Sequence, residues 1–388
     1  MTLVEPAAVA ARRLTVALER EGYQGWDPYD ALSSRCLRTI ARTALLRQTA
    51  IQALKWLPVN LRPILGVPRQ QHTKGLALVV QAYSRLAQTE GFGAPYRDRA
   101  RELGDALISR AVPASGSIAW GYDFDVQTRW GRYSAGQPNA IATAFASHAL
   151  LDLAEATGGP RVPDLCLRAL DYACSHLLQH SSNERYFAYF TGGSTPIHNA
   201  NLLMASVFAR VGQKGPGFEA ARAAVDYSLR RQRSDGTWPY GETESLSWVD
   251  GYHTGYVLES LAWWHRNTGD AAIRDALVRG LDVYITALIE ADGLPRATLT
   301  SKYPADIHAS ATAISTLSRL HAYDPRTLPT AESVLRWTLR RMQRRDGRFA
   351  FQHYGYLRNA VPYVRWSDGH MLLALSSYLR AAIGATPS

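Results

Sequence analysis

The sequence predicts an all-α fold: an α/α toroid of six helical hairpins, preceded by an N-terminal helical arm. Three observations predict it. First, an apolar helical run opens on a polar or His-bearing turn six times, near His72, Asn139, His198, His253, His308 and His370. These openings lie 55 to 67 residues apart, too long for one ordinary helix and right for a helical hairpin with its loops. Second, the runs that follow are rich in Ala, Ser and Thr, small enough for helices to crowd around an axis, while Arg and Glu collect on the runs between them. Third, no sustained period-two pattern marks a strand.

The elements follow in order. Residues 1–70 read as the arm: Gly22–Ser34 (GYQGWDPYDALSS) is loop-like, with Asp27 and Asp30 able to cap turns, and Pro58 and Pro63 punctuate WLPVNLRPILGV. Residues 71–388 read as the toroid. In its fourth hairpin, Ala220–Arg231 carries Ala224, Val225 and Leu229 at helical spacing, Gln232–Gly241 makes the turn, and SWVDGYHTGYVLESLAWW opens the next helix. The sixth repeats the layout from Gln343. A Gln-x-x-Asp-Gly-x-aromatic pattern recurs at Gln232/Asp235/Gly236/Trp238 and Gln343/Asp346/Gly347/Phe349, with weaker echoes at Gly116–Tyr122, Glu184–Tyr189 and Glu290–Arg296. Glycine relieves the turn and the aromatic covers the hairpin end.

Composition bounds the function. The 388 residues are 46% hydrophobic and 20% charged, an ordinary globular balance, and the net charge of +10 favours anionic partners. Cys36, Cys166 and Cys174 form neither a CxxC pair nor a disulfide framework. The N-terminal MTLVEPAAVAARR lacks an apolar signal segment, and no window approaches the ~18 uncharged apolar residues of a membrane span. A cytoplasmic location is expected. Residues 40–67 are basic and amphipathic, which suits peripheral membrane contact. No P-loop, G-x-G-x-x-G or nucleic-acid-binding module occurs, so no nucleotide or nucleic acid partner is expected.

Helix N-termini present unpaired N–H groups and partial positive charge, so six of them around one rim favour anions. Histidine there can act as acid or base near neutral pH. The densest motif is Trp248-Val-Asp250-Gly-Tyr252-His253-Thr-Gly-Tyr256, where Asp250 caps the helix or orients His253 and the two tyrosines share a face. Trp120-Gly-Tyr-Asp123-Phe-Asp125, with Arg129 and Tyr133, alternates aromatics and carboxylates in a loop suited to sugar stacking and hydroxyl binding. Asp125 and Asp250 are also candidates for a glycosidase carboxyl pair. Further rim groups are His198, Asn199 and Asn201, then Lys302, Asp306 and His308, then Arg365, Trp366, Asp368 and His370. No HExxH or Cys cluster supports a metal.

Two resemblances join this reading. GYQGWDPYDALSS, PVNLRPILGVP, WGYDFDVQTRW, PNAIATAFASHALLDLAEATG, HNANLLMASVFARV and WVDGYHTGYVLESL resemble a family of bacterial polysaccharide-biosynthesis proteins encoded in exopolysaccharide, capsule and O-antigen gene clusters. Gly251 stands where that family's pattern has Asn, so no side chain at 251 enters the reading. Locally, DGYHTGYVLESL is similar to protein prenyltransferase β subunits, and Gln232–Trp238 is similar to the repeats of squalene and terpenoid cyclases; both imply the α/α toroid. Of the prenyltransferase zinc triad only His253 matches, because His308 rather than Cys follows Asp306 by two. Asp123-Phe-Asp125-Val126 stops short of the cyclase acid motif.

The expectation is a carbohydrate-active enzyme of bacterial surface-polysaccharide biosynthesis or modification, acting on an anionic, uronate-type glycan or a lipid-linked sugar precursor. Proton abstraction gives an epimer or a lyase product, with His253 as base, Tyr256 or Tyr252 as acid, and Arg129 and the helix N-termini as carboxylate binders. Hydrolysis through Asp125 and Asp250, a prenyl or terpenoid enzyme, and a non-catalytic glycan-binding assembly protein are the alternatives. No cofactor is expected; zinc or magnesium belongs to the prenyl alternative.

Overall fold

Polar and His-bearing turns lead into helices most of whose residues are buried, and six such helices form the wall of a ring. A computed structural model describes residues 3–128, 131–160, 163–181 and 184–384. Helices α1 (Val4–Arg20), α2 (Arg35–Ile40) and α3 (Ala44–Trp56) come first. Five hairpins then alternate inner and outer helices: α4 (Thr73–Leu86) with α5 (Ala94–Ile108), α6 (Ala140–Thr157) with α7 (Asp164–Tyr172), α8 (His198–Val211) with α9 (Pro216–Leu229), α10 (Gly251–Thr268) with α11 (Ala271–Ala287), and α12 (Ile307–Arg319) with α13 (Thr327–Arg341). The last inner helix, α14 (Gly369–Gly384), packs against both α12 and α4 and closes the ring. The α/α toroid read from the sequence is the observed architecture.

The two layers differ as their sequences do. Every residue of α4 is buried, and in α12 only Arg319 is not. Outer α13 buries one face, through Ala331, Val334, Leu335 and Thr338 at helical spacing. Short antiparallel strands occupy the connections: β1 (Val112–Ala114) pairs β2 (Ser117–Ala119), β3 (Val126–Gln127) pairs β4 (Arg132–Tyr133), and β5 (Leu178–Ser181) pairs β6 (Glu184–Phe187). The strands β7 (Ala305–Asp306), β8 (Gln352–His353) and β9 (Arg358–Asn359) form one small sheet.

The recurring Asp-Gly turn shows what completes the outer layer. Gly236 follows α9 at φ +87 and abuts Arg279 of α11; Gly293 follows α11 at φ +89 and abuts Ser333 of α13. Gly347 follows α13 at φ +87 and abuts Arg13 of α1. By that progression α1 is the outer helix of the sixth hairpin, and it packs on α14. Residues 1–70, set apart as an arm in the sequence reading, therefore divide: α1 stands in the outer layer, and α3 lies across one end of the ring.

The inner helices share one polarity. The C-terminal parts of α4, α6, α8, α12 and α14 bring Arg85, Asp152, Arg210, Arg319 and Arg380 to a single cavity of about 430 Å³. Arginines there complement the negative helix ends, and Arg85 and Arg210 both pair with Asp152. The N-termini consequently face the opposite end. No helix among the described residues is long and apolar enough to cross a membrane.

Close packing inside the ring yields a test. A Cβ added at Gly255 of α10 would lie 2.5 Å from Thr312 Cγ2 and 3.2 Å from the Tyr284 hydroxyl. Gly255→Ala gains up to about 1 kcal/mol in helix propensity but overpacks a full interface at about 1–3 kcal/mol. The expected net result is a lower melting temperature in a calorimetric scan; an unchanged or raised value would show that α10 and α12 have room to part.

Candidate active site

The first turns of four inner helices are fixed by three carboxylates and one side-chain amide, which places the site. Asp250 caps α10 by accepting from His253 N at 2.9 Å, Asp306 caps α12 by accepting from His308 N at 2.9 Å, and Asn139 caps α6 through Ala142 N at 2.9 Å. The start of α4 is capped from outside: Asp123 Oδ2 accepts from Thr73 N at 2.6 Å, and Oδ1 accepts from Thr73 Oγ1 and from Arg110.

At this end lies a cavity of about 890 Å³. Its wall carries Tyr29 and Trp56 from the N-terminal segment, Tyr122, Phe124, Tyr133 and Tyr189 on one side, and Tyr240, Trp248, Tyr252 and Trp366 on the other. Rings at these positions suit the apolar faces of sugars. Among the described residues lining it, Asp250 is the sole carboxylate, beside His253, Lys55 and Arg365.

His253 and Asp250 form a dyad. Asp250 Oδ2 holds His253 Nδ1 at 2.7 Å and also accepts from Trp248 Nε1 at 2.9 Å. With Nδ1 so committed, Nε2 carries the lone pair of the neutral ring. The imidazole is sandwiched between Tyr240 and Tyr252, at ring-centre distances of 4.3 and 4.2 Å. Burial, then the charge of Asp250, holds the Tyr252 phenol well above its ordinary pKa, so it stays protonated.

Behind Tyr252 sits a second group. His308 and His370 stack at 3.8 Å, Tyr256 hydrogen-bonds His308 Nε2, and Trp366 lies edge-on to His308 at 4.4 Å. Trp366 Nε1 is tied to Asp306 at 2.8 Å. Lys74 Nζ sits over the Phe145 ring at 4.3 Å and 5.5 Å from that of Tyr256. Burial depresses His308, His370 and Lys74 well below their ordinary values, helped by His370 and Lys74 for His308, by Lys74 for His370, and by Arg365 for Lys74. Burial likewise lowers His72 and His148, and lowers His198 to about 3.

Arg365 enters the cavity wall from just before α14 and is anchored by Asp27, whose Oδ1 accepts from Nη2 at 2.8 Å. Burial alone would raise the Asp27 carboxyl, but Arg365 outweighs it and holds it below the usual carboxylate range. Nearby, Lys55 Nζ donates to the Tyr29 hydroxyl at 2.9 Å.

The sequence candidates therefore separate. Tyr133, Trp248, Asp250, Tyr252, His253 and Trp366 line the cavity. Tyr256 and His370 line a smaller space of about 40 Å³ farther down the axis, and His308 joins them by its hydrogen bond to Tyr256. Asp125 faces away, accepting from Ala135 N at 2.9 Å and Arg132 at 3.2 Å, so it does not oppose Asp250. Asp123 serves as the α4 cap. Trp120 is a core residue whose indole donates to Leu107 O. His198 bonds Ser228, Asn201 bridges Phe187, Ala224 and Ser228, and Asn199 is buried outside the cavity wall. Lys302 is an exposed partner of Glu290, and Asp368 is buried on Arg348. Arg129 lies outside the described residues.

The zinc ligands of the prenyltransferase resemblance do not assemble. Asp306 is occupied by His308 N, Gln352 and Trp366, and among the described residues no group of three His, Cys, Asp or Glu is placed to hold a metal. Arg365, named with the last rim motif, does reach the cavity, whereas Tyr29, Lys55, Lys74, Tyr189 and Tyr240 were not among the sequence candidates. Lys74, one residue into α4 after the His72–Thr73 opening, carried the clearest available signal, a lysine at a repeat opening.

No family model matches the chain, and no curated relative matches it. Solved structures do match. An unsaturated glucuronyl hydrolase specific for heparin superposes with a TM-score of 0.64 at 13% identity, over 99% of this chain and 98% of that one. Cellobiose 2-epimerase from Bacillus thermoamylovorans gives 0.62 at 10% identity, over 80% and 87%. A polysaccharide lyase gives 0.57 at 11% identity, over 81% and 92%. At such identities the likeness is one of fold.

Two outcomes are expected. Asp27→Ala strands the buried Arg365 guanidinium and should cost about 3–5 kcal/mol in denaturant titration, whereas an Asp27→Leu/Arg365→Met pair should recover much of it; equal losses in both would remove the ion pair from the account. Second, the neutral buried histidines bind protons less readily folded than unfolded. Their contribution is complete above the ordinary value of 6.5 and is lost as pH falls below it, by at most about 1.4 kcal/mol per pH unit for each. Melting temperature should fall on acidification through this window, and His308→Gln/His370→Gln should flatten the slope; an unchanged slope would exclude these two as its source.

Proposed function

We propose that the chain is a carbohydrate-active enzyme that moves a proton at a sugar carbon beside a carboxylate or carbonyl group, as an epimerase or lyase does. Its substrate on this reading is an anionic, uronate-type glycan of a bacterial surface polysaccharide, or the lipid-linked precursor of one. The observation that carries the proposal is the Asp250–His253 dyad set in an aromatic wall, with Asp250 the sole carboxylate among the described residues lining the cavity. The fold likeness to a sugar epimerase and a polysaccharide lyase supports it.

The steps follow from the geometry. Asp250 fixes the tautomer that leaves the His253 Nε2 lone pair for the substrate. Nε2 takes the proton of a C–H next to the carboxylate, and the electron pair moves onto the carboxylate oxygens as an enolate. Lys55 and the positive ends of the inner helices balance that charge at the rim. Tyr252 remains protonated and is the acid. Its proton either returns to the carbon from the other side, giving the epimer, or goes to the departing β-oxygen, giving an unsaturated sugar. Retaining or inverting hydrolysis needs two carboxyl groups flanking the bond, and Asp125 is turned to Arg132 and the Ala135 amide. That favours proton transfer over the hydrolytic reading.

Solvent exchange tests this. Incubated with uronate-containing glycans in D₂O, the protein should either place deuterium on the carbon beside the carboxylate, as an epimerase does, or release an unsaturated sugar, as a lyase does, both read by NMR. His253→Ala should abolish both outcomes, and Asp250→Asn should slow turnover by about 10²–10⁴-fold. Glycans that bind but neither gain deuterium nor yield an unsaturated product would refute the mechanism.

A further inference from the structure

The polypeptide between α1 and the ring exposes apolar side chains that a soluble surface ordinarily hides. Ile40 is 64% exposed, Leu45 71%, Trp56 63%, Val59 62% and Ile64 83%. Only Ile51 and Leu54 of α3 are buried. Nearby, Asn359 Nδ2 donates to Leu57 O at 3.1 Å, which brings the loop before β9 alongside, and in that loop Tyr356 is 96% exposed. So many exposed large apolar side chains within one short segment mark a contact surface.

Charge identifies the contact. No acidic residue occurs between Asp30 and Glu90, and the part of that interval before α4 carries Arg35, Arg38, Arg42, Arg47, Lys55, Arg62 and Arg69. Arg62 is spent on buried Asp30 and Arg69 on Glu21. Arg35, Arg38 and Arg42 are exposed, and among the described residues none has an acidic partner within ion-pair distance. We propose that this face docks the protein on an anionic lipid bilayer. Trp56, Ile64 and their neighbours enter the headgroup boundary while the arginines meet lipid phosphates. A symmetric contact between two copies would instead set these arginines against one another.

Docking also orients the cavity. Leu45, Gln48, Thr49, Gln52 and Trp56 of α3 form part of its wall, so a docked α3 holds the mouth at headgroup level. The substrate class that fits is a glycan on a lipid anchor, its sugars reaching the aromatic wall while the anchor stays in the membrane. The substrate clause rests on the proposed function; the docking does not.

The test is flotation of the full chain with phosphatidylcholine vesicles, with and without phosphatidylglycerol. Binding is expected on the anionic vesicles and should weaken with salt. Arg35→Glu/Arg38→Glu should lower it by at least about fivefold per arginine. Ile40→Asp/Val59→Asp/Ile64→Asp should abolish it; none of these residues lines the cavity, and thermal melts establish that the variants fold. Turnover of water-soluble glycans, read as deuterium incorporation or as unsaturated product, should survive in the variants, which separates failure of docking from failure of the catalytic reading. Absence of flotation with anionic vesicles, or binding unchanged in the folded variants, would overturn the proposal. So would self-association abolished by the same substitutions without vesicle binding.

Discussion

Six helices of like polarity packed side by side impose the rest of this structure. Each presents unsatisfied N–H groups at one rim and unsatisfied C=O groups at the other. The two ends must therefore differ chemically, whatever else the chain does. At the carbonyl end the answer is arginine, with Arg85, Arg210 and Arg319 neutralised by Asp152 and Glu259. At the amide end it is a set of capping side chains, Asp250, Asp306, Asn139 and Asp123, and of these Asp250 lines the cavity. The site is thus a by-product of finishing helices, adapted by the residues that follow each cap.

That origin explains why single residues hold two duties. Asp250 stops α10 from fraying and also orients His253; Asp306 caps α12 and also pins Trp366 over His308. A side chain held by a helix end and a second partner has little rotational freedom left, so the groups facing the cavity arrive preorganised. The Arg365–Asp27 pair extends the principle across the chain, tying the segment that covers the ring to the start of its last helix.

What the sequence discloses follows the same division. Residues at helix openings were legible because their position repeats: Trp248, Asp250, Tyr252, His253 and Trp366 all reach the cavity from such turns. Loop residues were not. Asp123 and Asp125 look alike in a string of alternating aromatics, but Asp123 is drawn 50 residues back to the amide of Thr73, and Asp125 stabilises its own hairpin. Arg365 and Asp27 stand 338 positions apart, and nothing local in either predicts the other. Tyr29 and Lys55 join the wall only because α3 folds over it. Periodicity reveals the scaffold; it is silent about which loop crosses it.

The pairing of α1 with α14 bears on how the molecule is made. Inner helices α4 to α12 find neighbours in order as the chain lengthens, each contact closing a loop of modest size. The final inner helix has none of its outer cover until it reaches the first helix of the chain, and the same event seals α14 against α4. Until then an open crescent leaves the apolar flank of α4 that will face α14 in water. Its closure pairs the most distant segments of the chain, a contact that topology places late in folding. Mutations along α1 should then act on the yield of finished protein during synthesis more than on any contact with substrate.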